Sequence, residues 1–129
     1  MKFLLLLSSL LLAATQCQKE DLFEWEAPFE LAVGEAKVHR DSKTVLQWVS
    51  VKEDSRCPKN TACVWEGQAV LSLSLNETPF ELTLRKGKPD QAKTLVGAYV
   101  VEATTLTPYP EGNKIPTASY RLTLVVKPL

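Results

Sequence analysis

The chain has 129 residues, with 15 Lys and Arg against 15 Asp and Glu, one His and three Cys, which is room for one domain. A pI near 6.6 leaves no basic field for a phosphate backbone and excludes a nucleic-acid partner, while a single histidine removes most His-based catalytic and metal sites. The odd cysteine count is the informative number, because an exported small domain uses its thiols in pairs and a leftover needs a reason.

Residues 1–16 open with Met-Lys-Phe, continue as an apolar run through Leu12 and end in Ala13-Ala14-Thr15-Gln16 ahead of Cys17. That is the charged start, short apolar core and small-residue end of a secretory signal peptide. The 12 residues from Phe3 to Ala14, interrupted by Ser8 and Ser9, fall short of the roughly 20 a membrane-spanning helix needs. Leu4 to Leu7 with Leu10 to Leu12 leave no polar face for an amphipathic first helix.

The junction at Cys17 resembles that of bacterial lipoproteins, whose cysteine is lipidated and becomes the new amino terminus; Gln16 stands where that family prefers Gly or Ala. Lys19-Glu20-Asp21 is similar to the Lys-acidic-acidic signal that sends some lipoproteins to the outer face of the outer membrane. The resemblance implies a lipidation site at Cys17, attachment to the bacterial outer membrane through the lipid, and exposure at the cell surface. Ordinary cleavage after Ala14 or Cys17 is the alternative, with a periplasmic or secreted product. Several acyl chains anchor a protein stably where one does so only marginally, so the folded part needs no membrane-binding surface of its own. Residues 17–28 read as a lipidated terminus and short acidic tether, although Leu22, Phe23 and Trp25 favour packing over swinging in water.

From Phe29 to Leu129 the hydrophobic pattern has period two, which puts alternate side chains on opposite faces of strands. Strands are expected over residues 29–33, 36–40 and 44–51, the last apolar on both parities, as in a strand buried on both sides or distorted by a bulge. Ala69, Leu71, Leu73 and Leu75 give the clearest alternation, and Phe80, Leu82 and Leu84 return as the second arm of a hairpin. Residues 95–106 hold one or two strands around Gly97, and Tyr120, Leu122, Leu124 and Val126 close the chain facing inward. No helical stripe persists for three turns. About seven short strands separated by turn residues predict an all-β domain over residues 29–129, an antiparallel β-sandwich of immunoglobulin-like size, with a small β-barrel as the alternative.

One passage is neither plain strand nor plain turn. With Cys17 lipidated or removed, Cys57 and Cys63 are the remaining thiols, and in an oxidising compartment they are expected to form a disulfide across five intervening residues. A redox pair wants two intervening residues, a zinc site wants more ligands than His39 supplies, and a catalytic thiol wants an activating histidine. Within the loop, Pro58 fixes one φ angle, Trp65 is placed to cover the disulfide, Gly67 permits a bulge, and Asp54 is within reach of Arg56. Asp54-Ser55-Arg56-Cys57-Pro58, followed by Cys63-Val64-Trp65-Glu66-Gly67, resembles the signature of a family of small secreted or lipidated bacterial β-domains; Tyr120-Arg121-Leu122 also fits. That resemblance implies a β-domain and carries no chemistry.

Two readings of the loop share this evidence. It is a braced corner, or it is a rigid element presented to a partner with Glu53, Asp54, Arg56, Lys59 and Trp65 as contacts. No catalytic residues, metal ligands or cofactor motifs are identified. Glu53, Asp54 and Glu66 lack the spaced loop of a Ca²⁺ site, and His39 stands outside any motif. The leading expectation is a non-enzymatic cell-envelope lipoprotein whose domain binds a protein or glycan. The alternative is a small inhibitor presenting the disulfide loop to a protease or lysozyme, with Arg56 or Lys59 as its probe.

Overall fold

Period-two alternation becomes nine strands in the computed structural model, which describes residues 21–129. The strands are β1 (Leu22–Phe23), β2 (Phe29–Ala32), β3 (Ala36–His39), β4 (Val45–Asp54), β5 (Ala69–Leu75), β6 (Thr78–Leu84), β7 (Lys93–Val96), β8 (Tyr99–Thr107) and β9 (Arg121–Pro128). They form two separate sheets, ordered β1-β3-β4-β5-β6 and β2-β9-β8-β7. The fold is therefore the expected sandwich and not the barrel. All pairings are antiparallel except that of β1 with β3.

The sheets close on a core to which alternate residues contribute. Leu46 and Trp48 of β4, Leu71 and Leu73 of β5 and Leu82 of β6 face Leu31, Val101, Leu122, Leu124 and Val126 of the other sheet, each essentially inaccessible to solvent. Burying each such side chain stabilises the fold by about 1.5–3 kcal/mol. The Trp48 indole donates to the Ser50 carbonyl at 3.2 Å, so its polar edge is satisfied inside.

Strand β4 explains its own apolar doubling. Leu46, Trp48, Val51 and Asp54 pair with Leu75, Leu73, Leu71 and Ala69, with register shifts between Trp48 and Ser50 and between Val51 and Glu53. Val49 and Lys52 are the extra residues of two bulges. Val49 faces solvent, 47% exposed. The inward face therefore runs 46, 48, 51, 54, and Asp54 ends the strand opposite buried Ala69.

The amino-terminal end departs from the tether expected over residues 17–28. Its described half, from Asp21 on, belongs to the domain. Val38 donates its backbone N–H to the Asp21 carbonyl at 2.9 Å and Glu26 donates to the Val126 carbonyl at 2.9 Å, so the segment crosses from one sheet to the other. Phe23 is buried in the core and stacks on Phe29 with ring centroids 4.7 Å apart. Trp25 lies flat on the His39 ring at 3.9 Å and on Tyr99 at 5.2 Å. The area these rings remove from water outweighs the entropy of a free tether. The expected signal peptide over residues 1–16, Cys17 and residues 18–20 lie outside the described residues.

Candidate functional site

The hairpin arms of β4 and β5 continue past their strands into the cysteine loop. Ser55 donates to the Gln68 carbonyl at 2.8 Å and Cys57 to the Glu66 carbonyl at 2.9 Å. Between these rungs Gly67 has φ +68°, and a Cβ on it would lie 1.7 Å from the Ser55 carbonyl oxygen. Only glycine fits that crossing. Cys57 and Cys63 form the expected disulfide. Lys59 donates its backbone N–H to the Pro110 carbonyl at 3.0 Å, joining the ring to the irregular segment after β8.

Beneath the loop, charge replaces apolar packing. Arg56 donates to both Asp54 carboxylate oxygens, Nε to Oδ1 and Nη2 to Oδ2, each at 2.8 Å. Nη1 donates to the Leu106 carbonyl at 2.9 Å, and Nη2 also to the Pro108 carbonyl at 3.0 Å. Leu106 lies on the stretch of β8 beyond its pairing with β7, which ends at Glu102, and Pro108 follows just past the strand's end. The Tyr120 hydroxyl donates to Asp54 Oδ2 at 2.7 Å. The ion pair is nearly sealed, with side chains 8% and 9% exposed. One carboxylate thus ties β4 to Tyr120, the residue before β9, and one guanidinium ties the loop to the end of β8.

Burial by itself raises the Asp54 pKa, but hydrogen bonds from Arg56 and Tyr120 and the guanidinium charge outweigh it and hold the carboxyl below its ordinary value. Burial, and then the bond to the Asp54 carboxylate, push the Tyr120 phenol up to about 12. At neutral pH the network is an ionised aspartate between a cation and a neutral phenol.

The five expected contact residues therefore fall into two groups. Asp54 and Arg56 are consumed in the framework under the loop. Glu53, Lys59 and Trp65 stay on its surface: Glu53 accepts from the Ser55 hydroxyl at 2.8 Å and the Gln68 amide at 3.3 Å, and Lys59 is 3.8 Å from Glu111 with its side chain 58% exposed. Trp65 is 46% exposed and Val64 fully so. Trp65 and both cysteines line one hollow of about 340 Å³ together with Lys86 and Tyr109.

Three neighbours escape a reading of the motif alone. The Arg85 guanidinium lies 5.4 Å from the Trp65 ring centre and donates to Glu66 at 3.0 Å. The hydrogen bond from its own backbone N–H and that from Arg85 lower the Glu66 pKa. Tyr109 carries Arg56 over its ring at 5.0 Å, and Lys86 follows in the turn after β6. Their only sequence signals are a basic pair after a strand and an aromatic residue between two prolines. His39 sits at the other end of the sandwich, buried against Trp25, with Nδ1 3.0 Å from the Ser42 hydroxyl. Among the described residues no group of three or more His, Cys, Asp or Glu side chains is placed to hold a metal ion.

No family model, curated protein or solved structure matches the chain.

Proposed function

We propose that the chain is a non-enzymatic binding domain of the bacterial cell envelope, held at the outer membrane by a lipid on Cys17, that displays its disulfide-closed loop to a protein or glycan. The observation that carries this reading is the division of labour inside the loop: its most buried charges, Asp54 and Arg56, fix its shape, while Lys59, Val64 and Trp65 face water. A loop fixed before binding loses less entropy when it is engaged.

The geometry of the ends supports display. Asp21 is four residues beyond Cys17, a reach of at most about 14 Å. It is bonded to Val38, which pairs with Val45 at the start of β4. The ten residues of β4 then carry the loop roughly 30 Å toward the opposite end. An anchor at Cys17 would leave the loop pointing away from the bilayer.

Two measurements test the reading in cells. Metabolic palmitate labelling is expected on the wild-type chain and lost in Cys17→Ala; labelling of both, or of neither, overturns the anchor. A photocrosslinking residue at Val64 is expected to yield a discrete adduct, with none from the exposed Leu95 on β7; equal yields at both positions overturn display by the loop.

Inhibition of a hydrolase is the second reading, favoured by the exposure of Lys59 on a covalently closed ring. Arg56 no longer serves as its probe, being sealed under the loop. A panel of proteases and lysozymes unaffected by the protein removes this reading.

A further inference from the structure

The hollow beside the disulfide adjoins a second one of about 350 Å³, reaching along Leu84 and Arg85 to Thr104 and Thr105 on β8; Glu66, Lys86 and Tyr109 border both. Together they form a groove of the size that takes small ligands or a few residues of a polymer. Two aromatic rings stand in it, Trp65 at 46% and Tyr109 at 42% exposure. An aromatic residue held in contact with water offers a flat apolar surface to a ligand that is itself part apolar, part polar.

The charges around the groove are unequal. Lys59, Arg85 and Lys86 line it from the cationic side, and Glu66 is the single carboxylate among its lining residues. Glu66 is already engaged by Arg85 at 3.0 Å, and Glu111 stands 3.8 Å from Lys59. Lys88 extends the basic run in the same turn. Lys86 has no salt bridge among the described residues; a fully neutral ligand leaves it unused, whereas a ligand with regularly spaced anionic groups and flat C–H faces uses it and the rings and competes with Glu111 for the exposed Lys59.

We infer that this groove is a binding site for an anionic glycan, a saccharide chain carrying carboxylate groups, whose ring faces lie on Trp65 and Tyr109 and whose acid groups meet Lys59 and Lys86. The inference rests on the proposed display function and names the class of partner for it. Arg85 and Arg56 act as positioning residues, each stacked over one face of its ring, Arg85 on Trp65 and Arg56 on Tyr109.

The test is a titration of the detergent-solubilised full-length protein with polygalacturonate, dextran and polyglutamate, followed by tryptophan fluorescence and by retention on the immobilised polymers. Polygalacturonate is expected to bind at least tenfold more tightly than the other two, with a change in Trp65 emission and weakening as salt rises. Trp65→Ala and Lys86→Glu are each expected to lose tenfold or more while keeping the wild-type melting temperature; Lys93→Glu, on β7 outside the groove, is expected to bind as wild type. Unchanged binding in both groove variants overturns the site. Equal binding of polyglutamate overturns the glycan assignment in favour of an acidic peptide. No binding of polygalacturonate, with the Val64 adduct still formed in cells, overturns the glycan and leaves loop display standing; loss of that adduct as well overturns both.

Discussion

The two ends of the sandwich solve the same closure problem with different chemistry. At the amino-terminal end, Phe23, Trp25 and Phe29 pack with His39 and Tyr99 into a stack of rings that covers the core. At the loop end, a disulfide, a sealed Asp54–Arg56 pair and the Tyr120 hydroxyl hold the chain, while Val64 and Trp65 stay exposed. An end closed by area removed from water tolerates imprecise fit. An end closed by charges depends on every partner being present, because a buried ion without its counterion costs several kcal/mol. The loop end therefore depends on specific partners, and the amino-terminal end on the area its rings bury.

Removing one ring from the first end is expected to have the largest effect. Phe23→Ala should lower unfolding free energy by about 4 kcal/mol in denaturant melts, through lost transfer energy and a residual cavity; a loss below about 1 kcal/mol would mean that the segment is not part of the core. Arg56→Met comes next, at about 3 kcal/mol, because it strands the Asp54 carboxylate. Combining it with Asp54→Asn should cost clearly less than the sum of the two single changes, and strict additivity would break the claim that they act as one unit. Replacing both cysteines by Ala should cost about 2 kcal/mol, the loop-entropy value for so short a ring, with the first end unperturbed in its aromatic circular dichroism.

Tyr120→Phe is the smallest, at about 1.5 kcal/mol for one hydrogen bond to a charged acceptor, and its signature is in pH. The folded Tyr120 pKa is raised, so its contribution is complete below the ordinary value of 10 and drains away as pH rises toward about 12. The Asp54 pKa is lowered, so its contribution is complete above the ordinary value of 3.8 and is lost as pH falls below it. Stability of the wild type should fall at both extremes, and Tyr120→Phe should remove the network's share of the alkaline loss and reduce, without abolishing, the acid one, because its hydroxyl is one of the groups that lower the Asp54 pKa.

The sandwich was legible in the alternation of residues 69–75 and 80–84, and the disulfide in the pairing of the two remaining thiols. The fate of Phe23 and Trp25 was half legible: their apolarity argued against a free tether, while their destination, the open end beside His39 and Tyr99, depends on residues far away in sequence. The pairing of Asp54 with Arg56 was open to the braced-corner reading, while its burial and its bond to Tyr120 were hidden for a related reason. Two charged residues flanking a serine look like surface contacts until strand pairing carries them inward opposite Ala69 and within reach of Tyr120, 66 positions away. Of the groove partners, Arg85 and Lys86 reach Trp65 through the β5–β6 hairpin, whose last rung is Ala69–Leu84, and Tyr109 reaches it from the end of β8 in the other sheet.

The pair of bulges in β4 has a mechanical meaning. With Val49 and Lys52 skipped, the strand reads as a regular alternation that matches β5 rung for rung; they are two lengths of slack on one side of a ladder. Slack on one rail bends it, and a bulged strand coils more tightly than its partner. Because β4 leads straight into the cysteine loop, its curvature sets the angle at which the loop leaves the sandwich and leans toward β8 and β9. A chain lacking both residues would retain the same rungs and aim the loop elsewhere.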